Sequence, residues 1–92
     1  MIRVRFLRSF DETLRALPAP ERKRTHRAVS LLLDYFNGGS KPLGLGLRKL
    51  REPYWEVRTS LARRIIFSLR DELATFVLVG SQDEIERFPK RR

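Results

Sequence analysis

Hydrophobic and polar positions alternate along this chain in two periods, and the change from one to the other marks where strands give way to helices. Ile2, Val4 and Phe6 alternate with Arg3 and Arg5, the period of a strand with one face on a core and the other in water. Arg3 and Arg5 then project together from the exposed face. Phe10, Leu14 and Leu17 recur at i, i+4 and i+7, and Ser9 with Glu12 has capping-box spacing. That predicts a short helix from about Phe10 to Leu17, ended by Pro18-Ala19-Pro20. A second, longer helix starts with Pro20 at its first position, where a missing N–H costs nothing, and Glu21 follows where the helix dipole favours an anion. Its apolar stripe is Ala28, Leu31, Leu32 and Tyr35, widened by Val29, Leu33 and Phe36. Arg22, Lys23, Arg24 and Arg27 crowd its first half, and Asn37-Gly38 forms a C-cap pair. The two helices predict a hairpin laid over one face of a sheet.

Beyond Gly38-Gly39-Ser40 the period returns to two. Leu43, Leu45, Leu47 and Leu50 punctuate a basic, glycine-rich loop in the manner of extended chain fastened to a core. Tyr54 to Thr59 then reads as a strand with Trp55, Val57 and Thr59 on one face and Tyr54, Glu56 and Arg58 on the other. After a turn at Ser60-Leu61-Ala62, Arg64 to Leu69 continues antiparallel, with Ile65, Phe67 and Leu69 in phase and Arg64, Ile66, Ser68 and Arg70 on the opposite face. Arg70-Asp71-Glu72 turns again, and Leu73 to Val79 is apolar on both faces, as a central strand is. Ser81 with Glu84 repeats the capping-box spacing ahead of Ile85 and Phe88, so a short terminal helix follows, closed by Pro89, with Lys90, Arg91 and Arg92 as a frayed end. The expected architecture is α+β: an N-terminal strand, a two-helix hairpin and a three-strand antiparallel meander forming a four-stranded sheet, then a short C-terminal helix.

Composition narrows the class of partner. A chain of 92 residues has room for one domain, 1–92, with one modest core. A net charge of +9 attracts phosphate polymers, acidic protein segments or anionic membranes. The absence of cysteine excludes disulfides and thiolate metal sites. Arg3, Arg5 and Arg8 interrupt the only N-terminal apolar run, so neither a membrane span nor a signal segment is expected, and a cytoplasmic location is. Between residues 41 and 70, eight basic residues stand against two acidic ones, Glu52 and Glu56. That charge lies within the strand pattern, not on a tail. The carboxylates are too scattered for a two-metal site, and no metal or other cofactor is expected. His26, the single histidine, sits among Arg24 and Arg27 and reads as a surface residue.

The order of these elements, with the phrases Leu50 … Tyr54-Trp55-Glu56-Val57-Arg58, Arg64-Ile65-Ile66-Phe67 and Phe76-Val77-Leu78-Val79-Gly80, resembles the RelE/ParE superfamily of type II toxin–antitoxin toxins over nearly the whole chain. The resemblance implies a mainly antiparallel sheet with two helices on one side, a basic concave face on the other, and a cognate antitoxin. RelE-like members cut messenger RNA on the ribosome without a metal; ParE-like members inhibit DNA gyrase, and fold alone does not choose between them. The usual ribonuclease pattern carries a His or Arg just after the last strand and a Tyr near the C-terminus. Here Ser81, Gln82 and Asp83 stand in the first place, and Glu86 or Phe88 where the Tyr is expected.

Metal-free RNA cleavage needs a group to take the 2′-OH proton, cations on the phosphate and a donor for the leaving oxygen. Lys49, Arg58 and Arg64 are the catalytic candidates: Lys49 as a base among arginines, and Arg58 and Arg64, at positions that recur in the family, as a guanidinium clamp. Arg48, Arg51, Arg63 and Arg70 are candidates for RNA or ribosome phosphate contacts, and Tyr54 for base stacking. The expected partners are ribosome-bound mRNA and an antitoxin whose acidic segment covers the basic face. A gyrase inhibitor of the ParE kind and a non-toxic RNA-binding module remain the alternatives.

Overall fold

The computed structural model describes residues 1–40 and 46–85; the expectations for Leu43 and Leu45, and for Glu86, Phe88, Pro89 and the basic C-terminus, lie outside the described residues. Strand β1 (Arg3–Phe6) runs into helices α1 (Arg8–Arg15) and α2 (Ala19–Phe36). Strands β2 (Arg48–Lys49), β3 (Tyr54–Arg58), β4 (Arg64–Arg70) and β5 (Leu73–Gly80) follow, and a helical turn occupies residues 82–85. The strands form one sheet in the order β1-β5-β4-β3-β2. β1 lies parallel to β5 and the other pairings are antiparallel. The sheet therefore has five strands, not four. The additional β2 is two residues long, too short to leave an alternation in the sequence, and it gives partners to the outer edge of β3, which would otherwise be bare.

The core lies between the helices and one face of the sheet. Phe10, Leu17, Ala28, Val29 and Leu32 pack on Val57, Ile65, Phe67, Ala74, Phe76 and Val79, with Trp55 and Leu47 partly buried against them. A smaller apolar cluster occupies the middle of the opposite face, where Ile66, Val77 and Ile85 gather Leu7, Leu50, Tyr54 and Leu78. That second cluster explains why the sequence of β5 is apolar in both phases. A bulge contributes to it, because Ile66 pairs with Leu78 while Phe67 pairs with Phe76, leaving Val77 as the extra residue.

The bulge also decides how α1 begins. Ser9 is not a cap: the helix starts at Arg8 after Leu7, with no side-chain capping bond, and the Ser9 hydroxyl instead donates to the Val77 carbonyl. One turn on, the Thr13 hydroxyl accepts a bond from the Val79 N–H at 3.1 Å. Two α1 side chains thus hold backbone groups of the irregular stretch of β5. The Ser81–Glu84 capping box does form, with the Ser81 N–H donating to the Glu84 carboxylate at 2.8 Å and the Glu84 N–H donating to the Ser81 hydroxyl at 3.3 Å. At the other edge, β1 is less buried than its alternation suggests. Val4 and Phe6 are 37% and 45% exposed, because β1 is an edge strand; Phe6 stacks on Phe76 with ring centroids 5.2 Å apart.

Replacing Thr13 by Val keeps the shape and deletes the acceptor for the Val79 N–H. We expect a loss of about 1–3 kcal/mol, the cost of leaving a buried donor unpaired, read from urea unfolding; an unchanged midpoint would contradict this fastening.

Candidate nucleic-acid interface

Strand register assigns each basic residue to a face. Arg58 lies directly opposite Arg64, Glu56 opposite Ile66 and Tyr54 opposite Ser68; Arg48 lies opposite Glu56. Arg64 lies opposite Gly80 and Arg70 opposite Leu73, while Arg3 and Arg5 lie opposite Leu73 and Thr75. Residues directly opposite one another share a face. The face away from the helices therefore carries Arg3, Arg5, Arg48, Arg58, Arg64 and Arg70, and its one sheet carboxylate among the described residues is Glu56. The register thus places six arginines on one face of a small sheet.

Glu56 is the organising group at one end of that face. It is 6% exposed and forms ion pairs with two arginines, 3.0 Å from Arg64 Nε and 3.7 Å from an Arg48 guanidinium nitrogen. The Arg64 side chain is itself only 14% exposed, whereas that of Arg48 is 69% exposed, so the Arg64 contact is the stronger of the two. Arg58 is exposed and lies over Gly46, whose φ of +63° sets a left-handed turn; a Cβ there would stand 3.5 Å from the Arg58 guanidinium carbon. Arg58 and Arg64 start from Cα atoms about 5 Å apart, and like charges so placed repel. Glu56 offsets that repulsion for only one positive charge of the three. Nη1 of Arg64 is buried and has no hydrogen-bond partner among the described residues. A buried donor left open beside uncompensated positive charge is the arrangement that an incoming anion completes.

The structure does not bring Lys49 into this group. Lys49 lies opposite Trp55, on the face of Val57 and the helices. Its ammonium forms an ion pair with Glu52 and sits 5.8 Å from the centre of the Trp55 ring. Of the other candidates, Arg51 is exposed in the turn before β3. Arg63 is half-buried in the turn before β4, where its guanidinium donates to the Ala62 carbonyl at 3.5 Å. Tyr54 is half-buried in the apolar cluster at the middle of the arginine face, and Arg70 stands at the far end of β4. Sequence reasoning treated Glu56 as one of two acids in a basic stretch and missed its role. The signal available was a lone carboxylate in phase with Arg58 on an otherwise apolar strand. On the second helix, Arg22 is engaged by the Leu17 carbonyl and Arg24 by Glu21.

No protein-family profile and no curated protein sequence matches the chain; the likeness to known proteins is structural. The RelB–RelE antitoxin–toxin complex of Methanococcus jannaschii contains a chain that is 20% identical and superimposes with a TM-score of 0.71, over 91% of this chain and 96% of that one. The fold is that of the RelE-type toxins. The DinJ–YafQ complex of Escherichia coli gives a TM-score of 0.75 at 16% identity, covering 92% and 98%. The YoeB–YefM toxin–antitoxin complex of Staphylococcus aureus gives 0.64 at 14%, covering 89% and 98%. Here the RelE-type sheet carries its arginines on the face that the helices leave open.

Glu56→Gln removes the charge that holds two arginines. Breaking a buried pair on one side costs about 3–5 kcal/mol, and we expect a urea-unfolding loss toward the lower figure, because Arg48 is largely in water. Glu56→Gln combined with Arg64→Met is expected to recover most of it. A single variant as stable as the parent would contradict the assigned role of Glu56.

Proposed function

We propose that this protein is the toxin of a type II toxin–antitoxin pair and that its arginine face takes RNA. In this reading it inhibits translation in the cytoplasm by metal-free cleavage of ribosome-bound mRNA. The observation that carries the reading is the Arg48–Arg58–Arg64 group around buried Glu56, with its open Arg64 donor. A phosphodiester supplies what that group lacks: two or more anionic oxygens in a geometry that planar guanidinium forks match. The similarity to solved toxins in complex with antitoxins supports the cellular setting. Arg58 and Arg64 hold the phosphate and stabilise the charge that grows on it as the 2′-oxygen attacks, the P–O5′ bond breaks and a 2′,3′-cyclic phosphate forms, with water taking the 2′-OH proton and protonating the departing 5′ oxygen; Tyr54, on the same face, offers a ring for a neighbouring base. A cognate antitoxin with an acidic segment silences the toxin by covering the same arginines.

A second reading is favoured by the placement of Lys49. With its ammonium beside Glu52 and on the opposite face from Arg58 and Arg64, the arginine group binds anions without an adjacent proton acceptor other than Glu56, which is already held by two arginines. That suits a ParE-like protein that inhibits gyrase by binding alone.

Expression without an antitoxin separates the two. On the first reading growth and translation stop, and primer extension on ribosome-bound message shows new 5′ ends. Arg58→Ala, an exposed change, reduces cutting by about a hundredfold, the scale of losing one charge-stabilising donor, with thermal stability unchanged. Arrest with intact mRNA and accumulated cleaved DNA would establish the second reading instead.

A further inference from the structure

The arginine face has a second end that the Arg58–Arg64 group does not explain. β4 runs from Arg64 to Arg70, six steps of about 3.3 Å, so its two ends stand roughly 20 Å apart. At the far end a groove of about 290 Å³ is lined by Arg3, Arg5, Arg70, Ser68, Thr75 and Asp71, with Pro53 and Leu73 completing its wall. Ser68 and Thr75 are a directly opposed cross-strand pair, and Arg5 stands opposite Thr75 on the other side. The two residues therefore stand side by side on the open face, flanked across the strands by Arg5 and Tyr54, with Arg70 and Arg3 in the next row toward the end of the sheet. Arg3, Arg5 and Arg70 are all exposed, and none forms an ion pair among the described residues. Asp71 supplies one negative charge against their three, while Glu72, its neighbour in the turn, is turned toward the N-terminal ammonium.

The geometry points to a second phosphate-binding site at Arg3, Arg5 and Arg70, which together with the Arg58–Arg64 end makes the face a two-point seat for the backbone of single-stranded RNA. The inference rests on the RNA reading of the face given above. Between the two charged ends lies an apolar cluster in which Ile66 is buried with Ile85, and half-buried Tyr54 and Leu78 present its surface, suited to bases and not to phosphates. Charged ends around a stacking centre suit a strand that spans several nucleotides, within the range of about 4–16 that single-strand sites occupy. Hydroxyl donors beside guanidiniums add neutral hydrogen bonds to the oxygens of a phosphate that the arginines hold by charge.

The test is fluorescence-anisotropy titration of the full chain with a labelled 2′-O-methyl oligouridylate of about twelve nucleotides, which cannot be cut by 2′-OH attack, over a range of salt. Arg3→Gln/Arg5→Gln/Arg70→Gln is expected to weaken binding at least tenfold. It should also flatten the dependence of log K on log salt by about 0.7, the share of the one phosphate that the variant no longer neutralises, with the thermal midpoint unchanged. The parent should gain affinity from a trinucleotide to the longer strand, and the triple variant should gain little. A triple variant with parental affinity and slope overturns the second site; if Arg58→Ala still loses affinity in the same assay, the RNA reading stands without it. A parent that does not bind the strand overturns both. If the triple variant keeps RNA but loses poly-glutamate, the groove takes acidic peptide and the inference fails.

Discussion

A carboxylate buried in a sheet face that otherwise presents arginines is the constraint on which the functional end of this molecule depends. Cross-strand pairing sets Arg58 against Arg64, an arrangement that repels itself in isolation. Glu56, two pairs further along on the same face, forms ion pairs with Arg64 and with Arg48 of the edge strand. The group keeps a net positive charge and an unused buried donor, so it is held together and still short of anions. Stability and function meet at the same residue, since the charge that makes the cluster tolerable also fixes the direction of Arg64.

The rest of the fold supplies the platform. Helices α1 and α2 cover one face of the sheet, and the other carries the arginines. On that open face a small cluster around Ile66, Val77 and Ile85 divides the charge into two ends. The bulge at Val77 contributes an extra apolar side chain to that divide, and the hydroxyls of Ser9 and Thr13 hold the backbone groups that the irregular stretch would otherwise leave unpaired. None of the helices among the described residues is long and apolar enough to cross a membrane, and no three or more His, Asp or Glu side chains among them gather where they could hold a metal ion.

Much of this was legible in the amino-acid order. The alternation in residues 54–58 and 64–70 correctly put Arg58 with Tyr54 and Arg64 with Arg70, because side-chain alternation along a strand is a local property. The second capping box, Ser81 with Glu84, formed because the chain there reverses at the end of a strand with nothing competing for Ser81. The first, Ser9 with Glu12, did not form, since the bulged Val77 carbonyl, distant in sequence, claimed the hydroxyl. The same non-locality hid β2. Two residues leave no period, and which of Arg48 and Lys49 joins the arginine face is decided only by register with β3. The burial of Glu56 was hidden for a related reason, as it follows from how Arg64 and Arg48 converge across three strands.

The most direct test of the account follows individual side chains. In the free protein, nitrogen-15 NMR of the arginine and lysine side chains should show the Arg64 Nε–H slowed in exchange by burial and its ion pair with Glu56. Titration with a short, uncleavable single-stranded RNA should then shift the Arg58 and Arg64 guanidinium signals and leave the Lys49 ammonium signal in place. Rapid exchange at Arg64, or RNA-induced shifts at Lys49 with Arg58 and Arg64 unmoved, would contradict the claim that Glu56 organises the site on the open face.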